Sequence, residues 1–291
     1  MDLVKVTWGA PSFWIERFPL YFGIEKGLFQ KRGVRPQVEV FHGGPELLQA
    51  VRDAEVHVGE IGLPPFIKAF SKGLAARIIG STFIRQLDHF LAVRPDIRTV
   101  ADLKGKRIGI LSCGSCDDYF LRYLLQAEGI DPDADVEILS LGCGYGDVEC
   151  FSSGATDACF MVEPSLSLAE SKGHCSILVR IGDLFPRYQW GGIFASDKFI
   201  QEHRSMLMSL MDGYRESVQQ IASNPKDCIA VGSRIFRVEP EVFRCALNRY
   251  LPNSEIEARI DLEGLENCIR IQRELGAIPE IISASEMVLQ M

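Results

Sequence analysis

The chain has 291 residues, 47% of them hydrophobic, which is enough to bury the core of one large domain or two medium ones. Its net charge of −8 and the lack of any run of basic residues argue against nucleic acid and anionic membranes as partners. The apolar runs fall far short of the roughly 20 residues that span a bilayer, so no membrane insertion is expected.

The number of cysteines and the N-terminal sequence give information about the cellular compartment of the protein. Nine cysteines are an odd number in a chain too large to depend on disulfides, and they are typical of reduced thiols. The opening MDLVKVTWGAPS lacks the charged segment and the apolar segment of about 7–15 residues that form a secretory signal. The sequence as it stands predicts a cytoplasmic protein, whereas a removed leader would imply a periplasmic or extracellular one.

The first 93 residues alternate short apolar strands with helical patterns. Strands are predicted at 4–8, 34–41, 56–62 and 75–81, with a further extended piece at 90–93. Helices are predicted between them, as at 19–30, where apolar residues recur at helical spacing. Repeated β-α-β units of this kind predict a mainly parallel sheet with helices on both faces.

The pattern restarts after Arg94 and Pro95. Strands are predicted at 106–111, 136–139, 158–162 and 176–179, with helices between them, which indicates a second α/β lobe. A strand at 193–195 follows, and the chain then becomes almost wholly helical. Since these last helices include no strand for a third sheet, we expect them to pack on the first lobe.

A loop of small residues joins the predicted strand 106–111 to the next helix. It runs through Ser112, Cys113, Gly114, Ser115 and Cys116. Such a loop presents backbone N–H groups together with the positive end of a helix dipole. The sequence therefore predicts a place where a small anionic or polar ligand binds.

Four stretches resemble a known family. They are PLYFGIEKGLFQKRGV (19–34), GGPELLQAVRDAEVHVGEIG (43–62), LKGKRIGI (103–110) and ATDACFMVEPSLSLAESKG (155–173). They resemble the class II periplasmic-binding-protein-like fold, and within it the nitrate-, sulfonate- and taurine-binding proteins and the thiamine pyrimidine synthase-like (NMT1/THI5-like) group. The resemblance covers residues 4–200 and is looser afterwards.

The resemblance implies an α/β fold of two lobes, with a ligand cleft between them and a helical C-terminal part. Residues 1–90 and 191–291 would form the first lobe and 91–190 the second, with crossovers near 89–94 and 187–192. A small molecule would be clamped by hinge closure, and the permease of an ABC importer is an implied partner. The carboxyl ends of strands in open α/β sheets are also where ligands generally bind.

The loops after the predicted strands supply the candidate ligand-binding residues. These are Ser12, Phe13, Trp14, His42, Gly43, Gly44, Glu60, Ile61 and Ser81 from the first lobe, Ser112, Cys113, Gly114, Ser115, Cys116, Gly144, Tyr145 and Glu163 from the second, and Trp190 from the crossover. Each glycine serves either a tight turn or the close approach of a ligand. The two tryptophans either stack on a flat ligand or belong to the core.

Two ionisable candidates have two interpretations each. His42 precedes two glycines, where it has either a role in ligand binding or proton transfer or a structural role. Glu60 would favour a ligand with an amine or several hydroxyls if it lies in the cleft, or it would pair with Arg85.

Three cysteines, Cys113, Cys116 and Cys143, fall on predicted cleft loops. A helix N-terminus lowers a thiol pKa, so Cys116 could be a reactive thiolate, or the three could hold a metal. A lone CxxC without a second paired motif or a nearby histidine favours plain polar lining instead. We therefore expect neither a metal nor a cofactor.

Two functions remain open at this level. The first is a binding protein that captures a small polar or anionic organic molecule without turnover. The second is an enzyme on the same fold, with Cys113 or Cys116 as nucleophile and His42 as base. The pyrimidine synthase group places lysine and histidine after the third strand and cysteines near the second crossover; residues 59–65 and 189–194 contain neither set. The first-loop cysteine and the Arg-x-Gly-Gly motif of the desulfinases are also absent, so a binding protein is favoured.

Overall fold

The computed structural model describes residues 4–11, 14–83, 89–142, 149–185, 187–274, 276–278 and 282–289. Its strands form two five-stranded sheets. In spatial order the first sheet contains β2 (Val34–Val40), β1 (Val4–Ala10), β3 (Val58–Gly62), β10 (Gly191–Ser196) and β4 (Ala76–Ser81). β1 is parallel to β2 and β3, whereas β10 runs antiparallel between β3 and β4.

The second sheet repeats this plan. Its order is β7 (Glu137–Ser140), β6 (Arg107–Ile110), β8 (Ala158–Met161), β5 (Phe90–Val93) and β9 (Ser176–Arg180). β6 is parallel to β7 and β8, and β5 is antiparallel to β8 and β9. Strands β3, β5 and β8 are buried along their whole length, as expected for strands covered on both faces.

Helices cover both sheets and make up the end of the chain. They are α1 (Phe18–Glu25), α2 (Gly44–Arg52), α3 (Leu63–Phe70), α4 (Cys116–Ala127), α5 (Glu149–Ser152), α6 (Ser165–Ser171), α7 (Ile181–Leu184), α8 (Asp197–Glu202), α9 (Arg204–Ser223), α10 (Pro225–Phe236), α11 (Pro240–Tyr250), α12 (Leu262–Glu274) and α13 (Ala284–Met287). Prolines occupy the first turn of α1, α2 and α3, where a missing N–H costs nothing. Within the described residues, no helix is both long and apolar enough to cross a membrane.

The two-lobed α/β fold is confirmed, with two corrections. The sheets are mixed, since the strand that crosses into each sheet, β5 or β10, pairs antiparallel with its neighbours. The extended piece 90–93 is β5 of the second sheet, so the first crossover lies before it, between Ser81 and Phe90, and not at 89–94. Period-two patterning predicts a strand but carries no information about its partner.

The C-terminal helices contact both lobes. On the first lobe, α9 packs on α1, and Tyr214 stacks on Trp8 with ring centroids 6.1 Å apart. However, α11 packs on α6 of the second lobe, where Arg249 Nη2 lies 2.8 Å from Glu170 Oε2. Phe243 of α11 also contacts Phe18 of α1, with ring centroids 4.9 Å apart, so α11 packs on the first lobe as expected and in addition on the second.

Candidate functional site: a closed interlobe cleft

The cleft lies where the carboxyl ends of β1 and β3 face that of β6. A cavity of 20 Å³ separates the lobes there, lined by Pro11, Trp14, Arg17, Gly44, Ile61, Gly62 and Pro65 of the first lobe, Leu111, Ser115, Cys116 and Asp117 of the second, and Trp190 of the second crossover. One water molecule needs roughly 10–15 Å³. The cleft is therefore closed, and an organic molecule can reach these residues only when the lobes part.

Larger hollows lie elsewhere on the surface. Two of them, of 570 and 500 Å³, are lined by described residues of the first lobe and its attached helices alone. The interlobe cavity is smaller, but among the described residues it brings buried aromatic and charged groups of both lobes together. We therefore build the site there.

Glycines allow the lobes to approach at the front of the cleft. A Cβ atom built on Gly62 would lie 2.2 Å from Cys116 Sγ, and one on Gly43 would lie 2.6 Å from Ser112 Oγ. We call these four residues the glycine seam. Both distances are far shorter than van der Waals contact. The lack of a side chain at Gly43 and Gly62 therefore allows the opposite lobe to approach closely. Gly43 also has a φ of +120°, which favours glycine.

An arginine joins the lobes on the other side. Arg249 of α11 reaches two carboxylates of the second lobe, with Nη1 2.8 Å from Glu163 Oε1 and Nη2 2.8 Å from Glu170 Oε2. We call these three residues the arginine bridge. Nearby, the Ile15 N–H of the first lobe donates to the Glu163 carbonyl at 3.1 Å.

Glu163, a predicted ligand-binding residue, lies in this bridge and not among the residues that line the cavity. Its carboxylate is fully buried and accepts hydrogen bonds from the backbone and the hydroxyl of Ser167. Burial raises the pKa of Glu163 to about 7, although the Arg249 charge acts to lower it.

Two tryptophans form aromatic walls, with His89 between them. The imidazole of His89 lies 4.1 Å from the Trp190 ring and 5.5 Å from the Trp14 ring, centroid to centroid. Trp190 is buried, and its Nε1–H donates to Glu16 Oε1 at 3.1 Å. Trp14 is half-buried at the cavity. Trp190 is thus both a core aromatic and a cleft wall.

A buried ionic cluster lies beneath the first-lobe wall. Arg17 Nη1 is 2.5 Å from Glu16 Oε2, and Arg17 Nε is 3.6 Å from Glu60 Oε2. All three side chains are almost fully buried. Burial raises the pKa of Glu60 to about 7 against the opposing effect of Arg17, and burial together with the Glu60 charge raises the pKa of Tyr21 to about 12. Glu60 therefore lies behind the wall, facing Arg17, and Arg85, the partner that the sequence suggested, lies outside the described residues.

A histidine and an aspartate meet across the interlobe boundary. His89 Nε2 lies 3.5 Å from Asp117 Oδ1, and both side chains are buried. Burial, followed by the Arg17 charge, lowers the pKa of His89 to about 3. The imidazole is therefore neutral near pH 7, and its contact with Asp117 is not an ion pair.

The loop after β6 is closed by the chain's own carboxylates. The Leu111 N–H donates to Asp117 Oδ2 at 3.2 Å, and the Gly114 N–H donates to Asp118 Oδ2 at 2.7 Å. Ser115 N–H donates to the Ser112 carbonyl at 3.0 Å. Acidic residues in the first turn of α4 thus accept hydrogen bonds from N–H groups that were predicted to bind an anionic ligand.

The surroundings of Cys113 and Cys116 bear on the alternative of a reactive thiolate. Cys116 is buried under Gly62, and burial, with the Asp117 charge, raises its thiol pKa well above the usual value. Cys113 is exposed, and Asp118 raises its pKa. The reactive-thiolate alternative therefore has no support at Cys116, because burial and nearby carboxylates outweigh the dipole.

No group of three His, Cys, Asp or Glu side chains among the described residues could hold a metal ion. Cys143, the third thiol of the predicted cluster, lies outside them. The cysteine-based enzyme thus finds no activated thiolate at Cys113 or Cys116.

The other predicted residues divide among several positions. Trp14, Gly44, Ile61, Ser115, Cys116 and Trp190 line the cavity. Ser81 is buried and does not line the cavity, and its hydroxyl accepts from Gln189 Nε2 at 2.8 Å. His42 is exposed, and its Nδ1 lies 3.4 Å from the place of a Cβ on Gly142. At the rim, Gly114 faces Pro45. Ser12, Phe13, Gly144 and Tyr145 lie outside the described residues.

Six residues that line the cavity are absent from the predicted binding residues: Pro11, Arg17, Gly62, Pro65, Leu111 and Asp117. Arg17 lies in a single 3₁₀ turn between β1 and α1, which has no distinctive pattern. Asp117 follows the small-residue loop directly, and its position in the first turn of α4 has an ordinary interpretation as helix stabilisation. The usable signal in the sequence was the position of the Asp117 carboxylate directly after the predicted ligand-binding loop.

Two mixed α/β sheets that face each other across a closed cleft define the periplasmic-binding-protein fold. Among solved structures, the alkanesulfonate-binding protein SsuA from Xanthomonas axonopodis pv. citri bound to MOPS superposes with a TM-score of 0.82 at 18% identity, covering 99% of each chain. This likeness confirms the predicted fold.

A family model described as NMT1/THI5 like matches residues 14–228. Among sequence relatives, a candidate aliphatic sulfonates-binding protein from Bacillus subtilis is 24% identical over 276 residues, which is 93% of this chain and 82% of the relative. YtlA of the same organism, named as a candidate binding protein, is 22% identical over 253 residues, 85% of this chain and 76% of the relative. The chain belongs to the NMT1/THI5-like family, as the sequence resemblance predicted.

Proposed function

We propose that this chain is a solute-binding protein that captures a small organic molecule between its lobes and delivers it to the permease of an ABC importer. The observation that carries the proposal is the interlobe cavity of 20 Å³, walled by buried aromatic and charged side chains of both lobes. Walls of this kind suit a protein that encloses its ligand, with the cleft wider than these 20 Å³ when an organic molecule is bound. Relatives named as binding proteins support the same function.

The lobes part about the two crossovers. The first lies between Ser81 and Phe90 and the second between Arg180 and Gly191, and the lobe that contains β1–β4 and β10 moves against the lobe that contains β5–β9. Opening separates the glycine seam and breaks the arginine bridge, since each joins residues of the two bodies. A ligand that contacts both walls stabilises the closed form by its differential affinity.

A thermal-shift screen tests the binding function. Purified full-length chain is heated with a panel of oxyanions, sulfonates, carboxylates, amines and nitrogen heterocycles under reducing conditions. A compound present at about 100 times its dissociation constant raises the stability by about 2.7 kcal/mol. For each hit, small-angle scattering should show a smaller radius of gyration than that of the free protein, and the compound should be recovered unchanged.

Two outcomes contradict the proposal. The first is a hit that the protein converts into a product, which would make the chain an enzyme. The second is a hit that binds with no change in the radius of gyration, which would rule out clamping between the lobes.

The cellular compartment in which we expect the chain depends on whether its partner is the permease of an importer. A receptor for an importer meets its ligand outside the cytoplasmic membrane, whereas an intracellular carrier does not. Fractionation of the native cells, with the chain detected by antibody, separates the two. We expect the chain in the extracytoplasmic fraction; recovery in the cytoplasm would instead indicate a carrier and remove the permease as a partner.

A further inference from the structure

The last residues of the second crossover, 187–190, are hydrogen-bonded to the first lobe, and we call them the crossover segment. The side chain of Gln189 is buried, at 1% exposure. Its Nε2 donates to Ser81 Oγ and to the Gly191 carbonyl, each at 2.8 Å, and its Oε1 accepts from the Asp261 N–H at 2.9 Å. Since Ser81 ends β4 and Gly191 begins β10, one side chain joins the start of the first crossover to the end of the second.

Helix α12 holds the backbone of the same segment. Cys268 Sγ donates to the Gln189 carbonyl at 3.5 Å, and Asn267 Nδ2 donates to the Arg187 carbonyl at 2.8 Å. A Cβ atom built on Gly264 would lie 2.8 Å from the Gln189 backbone nitrogen, so the helix lies directly against the segment. Because α12 packs on α3 of the first lobe, these contacts fasten the segment to that lobe.

The second lobe contacts the crossover segment through aromatic rings. The Tyr188 ring centroid lies 5.5 Å from those of Phe120 and Phe185, and the Trp190 centroid lies 6.0 Å from that of Phe120. Ring contacts of this kind have no hydrogen bond to break, so the rings can slide past one another. Pulling Gln189 from its partners would instead leave buried polar atoms unpaired, which costs more.

A hollow of 180 Å³ lies between α12 and the second lobe. Its lining includes Tyr123, Leu184 and Phe185 of the second lobe and Asn267, Arg270 and Ile271 of α12. Side chains that face each other across a hollow gain little from mutual contact. A movement of the second lobe past α12 therefore breaks no close packing at this place.

We infer that Gln189 is a positioning residue that keeps the crossover segment on the first lobe when the cleft opens, an inference that rests on the proposed function. Trp190, which ends the segment, then stays on that lobe with Trp14. Its carbonyl accepts from the Leu63 N–H at 3.2 Å and its Nε1–H donates to Glu16, both of the first lobe.

The consequence concerns the order in which the solute meets the two lobes. A solute that enters the open cleft finds both tryptophans already assembled as one wall on the first lobe, and the second lobe closes over it afterwards. A wall that is assembled before binding lowers the cost of ordering side chains when the solute arrives.

Two native thiols show which lobe carries the crossover segment. Cys116 lies under Gly62 in the glycine seam, so its alkylation reports the parting of the lobes. Cys268 is fully buried against Gln189, so its alkylation reports the separation of the segment from α12. The parent chain and Gly62→Ala are treated with iodoacetamide for timed intervals, and mass spectrometry of peptides gives both rates. Gly62→Ala should speed Cys116 at least about tenfold and leave Cys268 within about twofold of the parent.

A second comparison tests Gln189 itself. Gln189→Leu removes the three side-chain hydrogen bonds and should speed the alkylation of Cys268 at least about tenfold. The control is Gln272→Leu, a change of the same kind at a buried glutamine one turn after Cys268 on α12, which should leave the Cys268 rate within about twofold. Ser81→Ala removes one acceptor of Gln189 and should give a smaller increase, about threefold, and it replaces Gln189→Leu if melting curves show that the latter is unfolded.

The outcomes separate this inference from the binding function. A Cys268 rate that rises with the Cys116 rate in Gly62→Ala overturns the inference, because the segment would then leave with the second lobe, but the cleft would still open. Equal increases at Cys268 in Gln189→Leu and Gln272→Leu overturn the role of Gln189. A Cys116 rate that is the same in Gly62→Ala and the parent would remove both the opening at the seam and the inference built on it.

Discussion

The lobes meet in two regions that differ in kind. The glycine seam brings Gly62 and Gly43 against side chains of the opposite lobe with no room for a methyl group. The arginine bridge spans its gap with one long side chain that reaches Glu163 and Glu170. The seam therefore defines how closely the lobes approach, whereas the bridge, whose Arg249 side chain is 26% exposed, contributes energy that responds to pH and salt.

The largest effect is expected at the seam. Gly62→Ala places a methyl group 2.2 Å from Cys116 Sγ, so the closed form is lost while each lobe keeps its core. Ligand affinity should fall by about a hundredfold or more, equivalent to about 2.7 kcal/mol, and scattering should show a larger radius of gyration with ligand present.

The rescue is the double variant Gly62→Ala with Cys116→Ala, which removes the sulfur that the methyl group strikes. Affinity should return to within about tenfold of the parent. A single Gly62→Ala variant that still closes on its ligand would show that the seam does not limit closure.

A somewhat smaller effect is expected at the bridge. Arg249→Met removes the guanidinium, which also lies over the Phe90 ring, and leaves Glu163 buried without its cation. Because Glu163 has a pKa near 7, it can take up a proton instead, which limits the loss to about 1–3 kcal/mol of unfolding free energy. Urea unfolding at pH 7 and above measures the loss.

The matched variant carries Glu163→Gln as well as Arg249→Met. It removes the buried charge, so the double variant should be more stable than Arg249→Met alone. Equal stability of the two would mean that Arg249 does not neutralise Glu163.

Sequence reasoning predicted the framework of this comparison but not the contacts. The strands, the two lobes and the glycine loops have local signals: period-two apolar runs, a restart of the pattern after Arg94, and small residues at strand ends. The seam and the bridge depend on pairs such as Gly62 with Cys116 or Arg249 with Glu163, far apart in the chain. Each residue alone has an ordinary interpretation, so only the fold shows that Glu163 binds an arginine and that Cys116 is buried.

The pH dependence of stability distinguishes the bridge further. The pKa of Glu163 is raised to about 7 from an ordinary 4.5, so the folded chain holds this proton more tightly than the unfolded chain. Its contribution is therefore present at low pH and is lost as pH rises from about 4.5 through about 7. In Glu163→Gln the fall in unfolding free energy over this window should be shallower by at least about 1 kcal/mol.

His89 is expected to change stability with pH in the opposite direction, so it serves as the control. Its pKa is lowered to about 3, so the unfolded chain takes up this proton first, and stability rises with pH between about 3 and about 6.5. His89→Gln should flatten that rise and leave the Glu163 window unchanged. Parallel pH profiles for the parent and both variants would contradict both assignments.

Alkylation of the two thiols measures the opening of the glycine seam without a mutation, and it is the smallest perturbation. Cys113 is exposed and Cys116 is buried under Gly62, and both thiols have raised pKa values. Since both stay protonated near pH 7, alkylation should be slow at Cys113 and much slower at Cys116, which reacts only when the lobes part. Mass spectrometry of peptides after timed iodoacetamide treatment gives both rates. A ligand that closes the cleft should slow Cys116 alone, and Gly62→Ala should speed it; a Cys116 rate unaffected by both would place the opening motion somewhere other than the seam.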